Sequence, residues 1–140
     1  MATTDTTHLA ERLYPTLSGG EQTRVSFGRV LAQATPLLLL DEPTGRLDLR
    51  HQELVMSTLR KLADAGIAVI AVLHDINLAA RFASRIMMLD GGTVRTVGSP
   101  NEVLTPEVIG SVYGIDVTVV RHPELDCPLI LSVGDAAVAD

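Results

Sequence analysis

The sequence predicts an α/β fold with a parallel sheet at its centre, and three observations carry that prediction. Leu37-Leu38-Leu39-Leu40 and Ile67–Leu73 are short and apolar at every position, the pattern of strands covered on both faces by helices. A capped helical pattern lies between them, and another follows the second. From Pro36 to Leu89 the order is therefore strand, helix, strand, helix, strand. That order calls for a three-layer arrangement with right-handed crossovers.

In chain order, the first seven residues read as loose. Leu9, Leu13 and Tyr14 cover at most part of a helix. Ser18-Gly19-Gly20-Glu21 has Ser and Glu at the spacing of a capping box, which opens a helix. Phe27, Val30, Leu31 and Ala34 then mark one apolar face. Gly28 costs that helix about 1 kcal/mol relative to Ala. Pro36 ends it and pushes Thr35 out of the helical region. Asp48 caps a second helix with the stripe Val55, Leu59 and Leu62, and Gly66 suits its left-handed exit. A short helix spans Ile76 to Ala83, and a third strand runs from Arg85 to Leu89. Asp90-Gly91-Gly92-Thr93 is a hairpin turn that returns Val94–Val97 antiparallel. Ser99-Pro100-Asn101-Glu102 is a second capping box, with Pro at the first helical position. Thr105-Pro106 starts a last helix, closed by Gly114. Val117–Val120 and Leu129–Val133 form a terminal strand pair, and the tail from Gly134 is expected to fray.

Composition narrows the classes. At about 100–200 residues per domain, 140 residues favour a single domain. An apolar content of 46% and a mean hydropathy of +0.28 exclude disorder. The longest apolar run, Ile67–Leu73, falls short of the roughly 18 residues that a spanning helix needs. No basic segment followed by an apolar one opens the chain, so export is not expected. Cys127 is the one cysteine and fits a reducing compartment. A net charge of −6, a single lysine (Lys61) and 3% aromatic residues argue against nucleic acid as a partner.

Four stretches carry chemistry. Ser18-Gly19-Gly20 leaves backbone amides uncovered by side chains at a positive helix end, a geometry suited to phosphate; the same residues also read as a plain helix cap. Asp41 and Glu42 end a buried strand on the side where α/β sheets hold ligands. Asp41 there can hold Mg²⁺ directly or through water, and Glu42 can deprotonate an attacking water; two solvated acids are the alternative. Asp48 in Gly45-Arg46-Leu47-Asp48 reads in isolation as an N-cap. His74 follows the second strand and would share the edge with Asp41 and Glu42, where a neutral imidazole can bridge a γ-phosphate and water. A lone histidine at a strand end also serves structure.

In that order and spacing, Leu17–Gln22, Leu37–Pro43, Leu47-Asp48 and His74-Asp75 resemble the ATP-binding-cassette (ABC) ATPases. The resemblance runs from Leu9 to Val133. Gly98-Ser99-Pro100 through Leu104, Tyr113-Gly114 and Val117–His122 are similar to importers of iron chelates, haem and cobalamin. Leu49–Gln52 and Arg121-His122-Pro123 look most like the haem importer subunit. The resemblance implies a P-loop NTPase fold and the cofactors ATP and Mg²⁺. It gives Glu42 the role of catalytic base and His74 that of switch histidine, and assigns Asp41 to the metal. Ser18, Gly19, Gly20 and Glu21 would contact ATP bound mainly to an opposite subunit, and Asp48 would sit in a subunit-contact loop. The implied partners are a second ATPase subunit and transmembrane permease subunits, and the implied place is the inner, cytoplasmic face of the cell membrane.

The family also implies a P-loop, Gly-x-x-x-x-Gly-Lys-[Ser/Thr]. The 140 residues hold no such run, and their one lysine is Lys61. The expectation is therefore a partial three-layer fold, the C-terminal half of one nucleotide-binding domain lacking the P-loop half. Its signature-helix region would be 1–35, its strand-to-switch core 36–98 and its C-terminal extension 99–140. The sheet would then expose an apolar flank and an unpaired edge, lowering stability and favouring association. This chain alone is expected to hydrolyse no ATP. The alternatives are a non-catalytic piece donating a signature half-site to another subunit, and a gene remnant without activity.

Overall fold

The Ser-Gly-Gly-Glu run opens helix α1, Gly19–Ala32, through the expected capping box. These positions come from a computed structural model, which describes residues 4–133. The chain divides into two compact units, Met1–His74 and Asp75–Asp140, and each is described by itself.

In the first unit, α1 buries Phe27 and Arg24. It ends before Ala34, which leaves the helix at φ +48; the expected apolar face therefore loses its last member. Strand β1, Leu37–Asp41, pairs in parallel with β2, Ala68–Val72, so that Leu37 faces Ala68 and Asp41 faces Val72. Helix α2, Leu49–Asp64, joins them and packs on β2. Its stripe buries Val55, Met56 and Leu59. Its exit is a Schellman turn: the Gly66 amide donates to the Ala63 carbonyl and the Ile67 amide to that of Leu62, with Gly66 at φ +93.

Two expectations are corrected here. The strands are not covered on both faces. Leu38 is buried, whereas Leu39 is 67% exposed and Ile70 59%, with Leu37 and Val72 on the same open face. Successive side chains of a strand point to opposite faces, so the helices of this unit bury only one alternate set. The first residues are not loose either. Thr4 and Thr6 are buried and their hydroxyls lie 2.9 Å apart. Short 3-10 turns at Thr7–Leu9 and Tyr14–Thr16 lead into α1. Gly28 makes room for this stretch, since a Cβ there would lie 3.3 Å from Thr4 Oγ1. Met1–Thr3 and the tail from Gly134 lie outside the described residues.

The open apolar face carries a prediction. Replacing Leu39 and Ile70 together by Thr removes two exposed apolar side chains and should change stability by less than about 1 kcal/mol. The double variant should stay monomeric at concentrations where the parent chain self-associates, as read by sedimentation velocity. Identical association of the two proteins would contradict this.

The second unit comprises α3 (Ile76–Phe82), β3 (Ile86–Asp90), β4 (Thr93–Gly98), α4 (Pro100–Val103), α5 (Pro106–Tyr113), β5 (Val117–Arg121) and β6 (Pro128–Ser132). Its core gathers Ala80, Ile86, Met88, Val103, Leu104, Ile109 and Ile130. The third strand does not extend the parallel sheet: β3 pairs with β4, antiparallel. The cause is local. Gly91 and Gly92 both take positive φ, which a two-residue hairpin of the favoured hand requires. β5 and β6 form a second antiparallel pair. The Asn77 amide clamps Ile130, donating to its carbonyl at 3.0 Å and accepting from its amide at 2.8 Å. At Ile130 the free edge of β6 is thereby satisfied by α3 instead of being left bare.

Candidate active site

Parallel pairing brings the C-terminal ends of β1 and β2 to one edge. Asp41 lies opposite Val72, and the Glu42 amide still donates to the Val72 carbonyl at 3.1 Å. There the chain turns. Glu42 sits at φ +46, a left-handed conformation that costs a non-glycine residue about 1–2 kcal/mol. The turn is held by the Gly45 amide donating to the Glu42 carbonyl and the Leu47 amide to that of Thr44. His74, just past β2, meets Glu42: its Nε2 lies 2.7 Å from Glu42 Oε1. Both side chains are largely exposed. A pair in open solvent adds little to stability, so the contact serves to orient the two groups. A carboxylate with one oxygen held and the other directed elsewhere can accept a proton from water. Its second oxygen, Oε2, would lie 3.3 Å from a Cβ placed on Gly45. Gly45, which the sequence marked only as the first residue of the Gly45–Asp48 stretch, is thus also a neighbour of Glu42.

The tip of α1 lies close by. A cavity of about 330 Å³ is lined by Gly19, Gln22, Asp41, Glu42 and Arg46, among others. Gly20 allows a close approach: a Cβ there would stand 3.2 Å from the Arg46 carbonyl oxygen. Ser18 and Glu21 complete the box: the Ser18 amide donates to Glu21 Oε2 at 2.7 Å and the Glu21 amide to Ser18 Oγ at 3.3 Å. The Ser18 backbone amide, followed by its side chain, holds the Glu21 carboxyl below the usual range, with Arg12 and Arg24 adding positive charge.

Asp48 caps α2 by accepting from the His51 amide at 2.9 Å, and the His51 ring approaches the same oxygen at 2.6 Å. The His51 amide, and then its ring, hold the Asp48 carboxyl below the usual range. The Asp-x-x-His spacing was the available signal for this pair.

Folded values lower than unfolded ones mean that Glu21 and Asp48 add stability above the ordinary carboxylate range. They lose it as pH falls through their lowered values. The melting temperature of the chain should therefore drop on acidification toward about pH 3, and less steeply in a Glu21→Gln, Asp48→Asn double variant. Parallel curves would rule out this contribution.

The residues can be tested against ATP and Mg²⁺. No group of three or more His, Cys, Asp or Glu side chains able to hold a metal is found among the described residues. Mg²⁺ needs no such cage; it takes one or two carboxylates and completes its shell with phosphate and water. Asp41, a single exposed carboxylate at the strand end, fits that role. Asp41, Glu42 and His74 lie at one edge, with His74 on Glu42; Gly19 shares a cavity with Asp41 and Glu42, and Ser18 and Glu21 engage each other at the helix tip.

The parallel strand pair with its Asp41-Glu42 and His74 edge and the Ser18-Gly19-Gly20 helix tip lie in one α/β unit, and comparisons with known proteins say what class that unit resembles. Residues 1–45 match the family model described as ABC transporter. In sequence and in fold, the chain matches the ATP-binding-cassette ATPases. Within that class it is 52% identical to the hemin import ATP-binding protein HmuV of Gloeobacter violaceus, over 99% of this chain and 53% of that protein. The fold is similar to a metal-chelate type ABC transporter in an inward-facing conformation, with a TM-score of 0.81 and 26% identity over 98% of this chain and 55% of that one. It is also similar to a dimeric ATP-binding cassette in a post-hydrolysis state bound to ADP and Pi, with a TM-score of 0.57 and 43% identity over 61% of this chain and 37% of that one. The chain spans about half the length of the curated relatives it matches. No helix among the described residues is long and apolar enough to cross a membrane.

Proposed function

We propose that this chain supplies the hydrolytic edge and the signature half-site of the ATP-binding subunit of an importer of haem or an iron chelate. The observation that carries the reading is the 2.7 Å contact between His74 Nε2 and Glu42 Oε1 beside Asp41, in a chain half identical to a hemin import ATP-binding protein. Glu42 is the general base that takes a proton from the attacking water. His74 orients that carboxylate and faces the γ-phosphate. Asp41 holds Mg²⁺, which when bound neutralises charge on the phosphates. Ser18, Gly19, Gly20 and Glu21 present the helix tip to ATP held mainly by a second ATPase subunit, and Asp48 anchors the loop facing that subunit. Transmembrane permease subunits complete the transporter, with this chain on the cytoplasmic face of the membrane.

The chain alone hydrolyses no ATP in this reading. Its 140 residues offer one lysine, Lys61, on α2 and outside any glycine-rich loop. Phosphoryl transfer depends on positioning and charge neutralisation together.

The test is a chimaera in which the part of the Gloeobacter violaceus protein outside the matched region precedes this chain. The chimaera should turn over Mg-ATP, and the chain alone should show no turnover above its own Glu42→Gln variant. Turnover by the chain alone would overturn the second statement. A folded chimaera that binds ATP yet hydrolyses none would overturn the first.

A further inference from the structure

Helix α1 buries a charge. Arg24 is 9% exposed, and its Nε is a buried atom with no hydrogen-bond partner. A guanidinium taken out of water is costly unless opposite charge compensates it, and none of the hydrolytic steps uses this one. Its place on the helix is marked by two glycines. Gly20, Arg24 and Gly28 stand four residues apart, so they lie along one face of α1. A Cβ on Gly20 would stand 3.2 Å from the Arg46 carbonyl oxygen, and one on Gly28 would stand 3.3 Å from Thr4 Oγ1. The helix therefore approaches the Thr44–Asp48 loop at one end of this row and the Thr4–Thr6 stretch at the other, with the buried cation between. Two carboxylates feel that cation. Glu21 lies one turn before it on the same helix, and Asp48 ends the loop and caps α2. The positive charge of Arg24 favours the ionised form of both, adding to the hydrogen bonds of their caps.

We propose that Arg24 is a positioning residue: from the middle of the Gly20–Gly28 row its buried charge ties the Ser18–Glu21 helix tip to the Thr44–Asp48 loop, so that the two segments hold one arrangement. The tie is electrostatic. An acid closes the capping box at the tip and another caps α2 at the end of the loop. One cation shared by two anions favours the arrangement in which both stay near it. A charge removed from water is screened less than an exposed one. Arg12, the other cation on Glu21, is about half exposed and correspondingly weak. That the tied tip and loop together face a second subunit rests on the proposed function; the tie itself does not.

The test is a charge-deletion cycle on the 140-residue chain, read by amide hydrogen exchange at about pH 7, where both acids are ionised. Asp48→Asn removes a charge and keeps an N-cap. Glu21→Gln removes a charge and keeps a capping box. Each change is read on the opposite segment: the Gln22 amide donates to the Ser18 carbonyl at the tip, and the Leu47 amide donates to that of Thr44 in the loop. Asp48→Asn should lower the protection of Gln22, and Glu21→Gln that of Leu47, each by about twofold or more, the lower end of coupling within one network. Both effects should vanish in Arg24→Met and return in Arg24→Lys, which keeps the cation. Arg24→Met should melt close to or above the parent, since an apolar side chain of similar volume commonly replaces a buried charge without loss; a residue that served packing alone would show no rescue by Lys. Charge deletions that are not felt across the two segments overturn the proposal, and that outcome needs no Arg24 variant. Effects that persist in Arg24→Met overturn it as well, because the segments would then be joined without the cation. These readings need no ATP, so a folded chimaera that binds ATP yet hydrolyses none overturns the proposed function and not the tie.

Discussion

In the chimaera, Glu42→Gln is expected to lower kcat by about 10²- to 10⁴-fold, the range that general base catalysis supplies, while leaving ATP binding close to unchanged. Gln has nearly the same shape and still accepts from His74 Nε2, so the 2.7 Å contact survives in one tautomer. What it loses is the ability to take a proton. Because Glu42 is half exposed, the substitution leaves no buried hole, and melting temperature should stay near that of the parent. His74→Ala tests the other half of the pair. It keeps the base and removes what orients it, so kcat should fall while the pH profile retains the same limbs. Single-turnover rates with radiolabelled ATP separate these outcomes from slow product release. Unchanged single-turnover rates in Glu42→Gln would sink the assignment of the base.

The second large effect is structural. Ile109 on α5 is fully buried and sits in the core of the second unit with Val103, Leu104 and Met88. Truncation to Ala removes methyl groups and leaves a cavity, at a cost of about 2–5 kcal/mol. In a unit of this size that should lower the melting temperature by roughly 10 °C or more. Ile70, 59% exposed on the open face of β2, is the internal control. Its truncation should cost less than about 1 kcal/mol. Calorimetry on the two variants compares them directly, and equal losses would mean that the exposed face is covered in solution.

The helix starts were legible in the sequence because capping is local chemistry. Ser18 with Glu21, Asp48 and Thr105-Pro106 each open a helix where expected. The hairpin at Gly91-Gly92 and the exits at Gly66 and Gly114 follow from positive φ, which glycine adopts at no steric cost. The site edge was legible for a related reason: a parallel pair of short apolar strands must end on the same side, so Asp41, Glu42 and His74 had to converge.

Other features were not. An all-Leu strand carries no alternation, so Leu37–Leu40 reads the same whether one face or both are covered; the observed one-sided burial depends on which layers are present. The run Ile86–Asp90 also reads as a third strand of the parallel sheet; the hairpin with β4 was expected, but that β4 is its one strand partner among the described residues was not. The burial of Thr4 and Thr6, the space Gly28 leaves for them and the approach of Asp5 to His51 join residues more than twenty positions apart, and no periodicity encodes such contacts.

By itself the sequence determined the helix caps, the turns, the order of strands and helices and the residues that gather at the sheet edge, since each depends on neighbours a few positions away or on the direction of a strand. The tertiary structure alone decided which strand faces lie open, that β3 stays out of the parallel sheet and how Asp5, His51 and Asp48 meet. Those outcomes depend on packing between segments remote along the chain, where burial and close approach are set by the fold and not by local preference.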